Sequence, residues 1–306
     1  MTNFNKTLLY IYILGTSNEW NYVCTPVPYK ISERELFFGP CKKLVRQDLK
    51  KKFLRNSLEV DLESSPYQIY IVGINPSKRN GVRKFLFAGK ILRLFTFKHA
   101  WEYYWSRAKN ENNVRKMIEG IKGENGKIYS PLHLEPIEGG YRHRTNEHEK
   151  SWIYDLLSGN KNGGEIKNIL KTANLIEGYN RKTNDNLMRY FKNKNNEIYR
   201  DDKLKIVFER DCCFSTENIF FSSKDAECPI SFNFEFLELI KEGFKESKKK
   251  NRLTNKGGPT LDSPFGFSSN PRKPGDFIKY GRGHLLLKYN LAENFMKLLY
   301  KSMEMK

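Results

Sequence analysis

Nowhere in the 306 residues does an apolar run approach the roughly 18 consecutive residues that a membrane-crossing helix needs. The opening "MTNFNKTLLYIYILGTSNEW" has neither a strongly cationic start nor a small-residue cleavage site. It reads as a strand rather than a leader, and a cytoplasmic location with no membrane partner is expected. Cysteine is scarce: Cys24, Cys41, Cys212, Cys213 and Cys228 are an odd set without CxxC spacing. That argues against a disulfide framework and offers no zinc pattern, so buried thiols in a reducing compartment are expected. No GxGxxG, phosphate-binding P-loop, HExxH or GxSxG pattern occurs, and neither a metal nor a cofactor is expected. Asp211 stands without an accompanying ExK, which removes a nuclease core of paired acids and a lysine.

Cationic side chains are what the sequence has in excess. Lysine and arginine total 54 against 35 acids, a formal charge of +19. Such an excess favours a polyanionic partner, nucleic acid above all. The chain is also rich in Lys and Asn, as proteins from AT-rich genomes tend to be, and codon bias is the plain alternative for part of this charge. Aromatics make up 14% of residues, so the core is expected to be built around rings.

Short apolar or alternating runs predict strands at Leu8–Leu14, Tyr22–Val27, Gln68–Ile74, Lys84–Phe95, Lys205–Phe208 and Cys213–Ser222. Helices are predicted at Phe97–Lys109, with Thr96 as N-cap, and at Asn112–Ile121, Glu149–Leu157, Gly164–Leu175, Asp185–Lys192, Asn233–Ser247 and Asn290–Ser302. No repeat or linker splits the chain. One α+β domain over residues 1–306 is expected, a curved sheet or small β-barrel decorated with helices, with elaborations at 160–203 and 245–275.

Two stretches carry the candidate chemistry. In the first, a strand ends at Gly73 and leads into Asn75 and Ser77, short polar residues suited to contact a base edge. Arg79, Arg83 and Lys84 follow as candidate phosphate contacts. Lys78 adds a further cation, and a solvated hairpin tip would look the same. The next segment, "TFKHAWEYYWSR", sets Phe97, Trp101 and Trp105 at helical spacing. Most such stripes are core. Tyr103 and Tyr104 cannot both face inward with Trp101, so Tyr104 or Trp105 is a candidate ring for stacking on a base.

The second stretch, Ser130 to Leu156, contains His133, Glu135, Tyr141, Arg142, His143, Arg144 and Asp155. Tyr141, Arg142, His143 and Arg144 could read a base edge and its phosphates. A general acid/base site could instead use His133 or His143 with Glu135 or Asp155. A structural loop remains the plain alternative.

The series "YIVGIN…RKFLFAGKILRLFTFKHAWEYYW", "SPLHL…YRHRTNEHEKSWIYDL" and "FSTENIFFSS…ECP", preceded by "FFGPCKKLVR", resembles the second of the nucleotide-modification-associated domain families of prokaryotes and phages. "VGINPS…KFLFAGKILRLFTF" also looks like the sheet core of PUA-like domains, the ASCH, EVE and YTH group. The resemblance covers about two thirds of the chain and leaves 160–203 and 245–275 without counterpart. It implies a decorated β-barrel that recognises or processes modified bases. The expectation is therefore a protein that binds nucleic acid, with DNA as the first choice, and accepts a modified or flipped-out base in a nucleotide-modification or phage-defence setting. The alternative is an enzyme of DNA base or nucleotide modification with a His/carboxylate site.

Overall fold

A computed structural model of the chain describes residues 6–13, 28–39, 43–74, 83–122, 128–129, 131–132, 134–137, 140–143, 212–222, 230–250 and 284–305. The fold is mixed α+β, as expected. Among these residues it has thirteen strands and five α-helices. The chain divides into two compact units made of interleaved segments: 1–37, 60–94 and 214–306 in one, 38–59 and 95–213 in the other.

A mixed sheet of nine strands organises the described strands, in the order β13-β1-β5-β6-β11-β3-β2 with β4 and β12 also pairing β6. β1 (Lys6–Ile13) runs parallel to β5 (Tyr67–Ile74) and antiparallel to β13 (His284–Lys288). β5 turns back antiparallel onto β6 (Arg83–Thr96), the 14-residue strand at the middle of the order. β11 (Cys212–Phe221), β3 (Glu35–Phe38) and β2 (Tyr29–Lys30) follow. β4 (Glu59–Asp61) and β12 (Ser231–Phe232) complete the set. The sheet is open, with β13 and β2 as its two ends among the described strands.

In the first unit, period-two alternation puts Leu9 and Ile11 of β1, Val72 and Ile74 of β5, and Leu285 and Leu287 of β13 into one apolar layer. Helices α4 (Phe234–Lys250) and α5 (Asn290–Glu304) cover it with Phe236, Leu237, Ile240, Leu291, Phe295, Met296 and Leu299. Asn233 caps α4: its Oδ1 accepts from the backbone N–H groups of Glu235 (3.1 Å) and Phe236 (3.4 Å). Phe85 stands at the centre of this layer, its ring 4.8 Å from Phe236, 5.6 Å from Phe232 and 6.0 Å from Phe295. On the other face of β1, Leu8, Tyr10 and Tyr12 are buried too, Tyr12 packing on Phe87 at 5.7 Å. Burial on both faces explains why β1 reads as a continuous apolar run.

The second unit contains α1 (Lys43–Leu49), a π-helical turn over Lys50–Leu54, α2 (Phe97–Ala108) and α3 (Asn112–Glu119). Two small hairpins belong to it, β7 (Ile121–Lys122) with β8 (Ile128–Tyr129), and β9 (Leu134–Ile137) with β10 (Gly140–His143). Its core holds a cation: Arg46 is fully buried, donates from Nη1 to the Cys212 carbonyl at 2.8 Å and lies 5.8 Å from the Phe97 ring. Cys212 and Cys213 are buried free thiols.

Several expectations need correction. Gly120, at φ 95°, ends α3 before Ile121, which belongs to β7 instead. The strands β3 and β13 were not foreseen, because runs as short as ELFF and HLLLK carry too few residues to show a period. The expected elements at Tyr22–Val27, Glu149–Leu157, Gly164–Leu175, Asp185–Lys192 and Lys205–Phe208, the elaboration at 160–203, and the part of the 245–275 elaboration beyond residue 250 lie outside the described residues.

The packing of the first unit can be tested in two ways. A methyl group at Gly73 would sit 2.0 Å from Cε1 of the buried Phe87 ring. Gly73→Ala should therefore destabilise the fold by about 1–3 kcal/mol, read as a lowered thermal midpoint. Burial pushes the phenols of Tyr29 and Tyr70 up to about 12, with Tyr300, Glu217 and Glu293 adding to the effect on Tyr70. An unfolded tyrosine ionises near pH 10, roughly. The fold thus prefers the neutral phenols, and its stability should decline as pH climbs from about 10 to about 12. Tyr70→Phe should flatten that decline in alkaline denaturation curves.

Candidate nucleic-acid interface

The aromatic segment forms α2 for local reasons. Thr96 is extended and its Oγ1 accepts from the His99 backbone N–H at 3.3 Å, as foreseen from the sequence. Phe97, Ala100, Trp101 and Tyr104 then repeat at helical spacing and form the buried face. Tyr104 is 0% exposed, its ring 6.0 Å from Phe95 and 5.0 Å from Tyr103. Its expected role as a stacking ring is therefore corrected: a base cannot reach it. Trp105 is 44% exposed and lies nearly parallel to Trp101, with centroids 5.0 Å apart and planes 19° apart. Trp101, only 5% exposed, fixes the outer indole from beneath. Lys98 and Lys109, seven residues before and four after Trp105, are exposed near the same helical stripe.

Two other ionisable side chains of α2, Arg107 and His99, are engaged within the second unit. Arg107 grips Glu111 in a fork, Nε to Oε1 and Nη2 to Oε2, both at 2.7 Å. That hydrogen bond, above all, holds the Glu111 carboxyl below its usual range. The guanidinium also lies 5.4 Å from the Tyr103 ring and 5.2 Å from that of Tyr104. Sequence reasoning missed the histidine that does meet carboxylates: His99 Nε2 is 2.9 Å from Glu59 Oε2, and its Nδ1 is 3.5 Å from Glu102 Oε2. A carboxylate on each side fixes the plane of the imidazole, the arrangement used to orient a proton-transferring ring. Glu59 lies 40 residues upstream of His99, and no local motif signals the pair.

The remaining sequence candidates fall in different places. Arg83 and Lys84 open β6, paired with Phe232 and Ser231 of β12, so they are strand residues of the first unit. Glu135, Tyr141, Arg142 and His143 share the β9–β10 hairpin. Its register sets Arg142, not His143, opposite Glu135, and His143 opposite Leu134. Asn75, Ser77, Arg79, His133, Arg144 and Asp155 lie outside the described residues. Among the described residues, no three His, Cys, Asp or Glu side chains gather as a metal site, and no helix is long and apolar enough to cross a membrane.

Comparison with known proteins finds no matching family model, no matching curated protein and no matching solved structure.

The two faces of α2 should separate in a stability assay. Tyr104→Ala empties a fully buried aromatic position and should cost about 3–5 kcal/mol. Trp105→Ala should cost far less, because close to half of that ring is already in water. Paired denaturant titrations of the two variants check this.

Proposed function

We propose that the chain binds nucleic acid, DNA first, and accepts a modified or flipped-out base in a nucleotide-modification or phage-defence setting. The single observation that carries this is Trp105, an indole 44% exposed and held flat against a buried neighbour, with Lys98 and Lys109 nearby on the helix. A ring ordered before binding loses little freedom when a base stacks on it. Cations beside it can hold the phosphates that accompany the base, and the net charge of +19 supplies long-range attraction. Flipping a base costs a few kcal/mol, which stacking and phosphate contacts together can offset.

The fold reading that goes with this is a PUA-like core in the first unit, in keeping with the sequence resemblance. In its support, the β5–β6 register shifts between Gly73 and Ile74, so the ladder becomes irregular where a base-binding rim is expected. Arg83, Lys84 and the β10 residues Tyr141, Arg142 and His143 remain the further proposed contacts. Asn75, Ser77, Arg79 and Arg144 belong to the same proposal from the sequence alone.

Trp105→Ala should weaken binding of single-stranded or base-modified oligonucleotides by about 1–3 kcal/mol, roughly 5- to 150-fold. Fluorescence anisotropy over a panel of modified and unmodified oligonucleotides in a salt series measures it. Unchanged affinity with a folded variant would remove the stacking role.

A further inference from the structure

The segment Lys50–Ser57, "KKKFLRNS", joins α1 to β4 in an unusual way. The helix does not stop at Leu49 but widens into a π turn, closed by the Arg55 backbone N–H on the Lys50 carbonyl at 2.7 Å. Leu54 is fully buried and anchors the turn. The chain then reverses, the Ser57 N–H reaching the Leu54 carbonyl at 2.8 Å. Arg55 occupies the second position of this four-residue turn with φ 49° and ψ −112°. Those angles are close to the first central position of a type II′ turn, where glycine is at ease and a side chain is strained.

Glycine would relieve the strain, yet the residue present is an arginine whose side chain lies in solvent. Lys51, four residues earlier, is exposed as well. Lys52 is tied to Asp48, whereas among the described residues neither Lys51 nor Arg55 makes an ion pair. A strained position that nonetheless carries a long cationic side chain is best explained by what that side chain meets outside the fold.

We propose that this turn is a phosphate clamp: Arg55 grips two oxygens of one phosphodiester in its planar fork, and Lys51 adds a point charge beside it. The partner is a nucleic-acid backbone, and the inference rests on the nucleic-acid reading given above. The turn fixes the backbone from which this cationic side chain projects into solvent, where glycine would leave only backbone.

The test compares the wild-type chain with Arg55→Gly and Arg55→Lys, by thermal melting and by anisotropy with a duplex and a single-stranded oligonucleotide over a salt series. Arg55→Gly should not lower the melting midpoint and should weaken binding several-fold. It should also reduce the salt slope by about 0.7–0.9, because one phosphate is no longer neutralised. Arg55→Lys should keep part of the affinity, since the charge stays although the fork is gone. A lowered midpoint for Arg55→Gly would overturn the strain argument. Wild-type binding matched by Arg55→Gly, with the same slope, would overturn the clamp while leaving the nucleic-acid reading intact. No binding of either oligonucleotide by the wild type at low salt would end that reading and the clamp together. Wild-type binding to anionic vesicles alone would do the same.

Discussion

The backbone pairing of β6 is the constraint on which the sheet depends. Four other strands, β4, β5, β11 and β12, hydrogen-bond to its 14 residues, and its last residue is the cap of α2. Side chains alternate along a strand, so a one-residue slip would exchange the two faces of β6 throughout. Phe85 would leave the layer under α4 and α5. Close packing at two glycines adds to the register: Cβ atoms at Gly73 and Gly89 would sit 2.0 Å from Phe87 and 2.5 Å from Thr216. The apolar layer thus rests on one strand being paired correctly.

The cations of this basic chain are not interchangeable. Arg46 is in the interior, where its cost of burial is met partly by the Cys212 carbonyl and the Phe97 ring. Arg107 is committed to Glu111 and to two tyrosine rings, and Lys52 to Asp48. Exposed charge in the second unit instead includes Lys51, Arg55, Lys98 and Lys109. Composition alone counts all of these equally, although only cations open to solvent can attract a polyanion at close range. The same distinction separates the rings of α2, where Tyr104 stabilises the unit and Trp105 faces outward.

Long periodic segments were legible in the sequence. β1, β5, β6, β11, α2, α4 and α5 all lie where hydrophobic spacing and capping residues predict them, within a few residues. Short strands were not, since β3 and β13 gain their stability from neighbours in the sheet rather than from a pattern of their own. Of the candidate site, the exposed indole was half legible: spacing showed that the rings near Trp101 could not all be core, but not which would be left outside. The His99–Glu59 pair was invisible, because the partners approach only after the chain between them has folded.

What the sequence determined by itself is local: the α+β mixture, the rings along α2, the cap at Thr96, and the excess of positive charge. Periodicity and side-chain chemistry act over a few residues and can be read there. The tertiary structure decided the order of the strands, the burial of Arg46 and Tyr104, the exposure of Trp105, and the strained backbone at Arg55. Each of these depends on packing or turn geometry set by the rest of the fold, and no local pattern records how those competing demands are resolved.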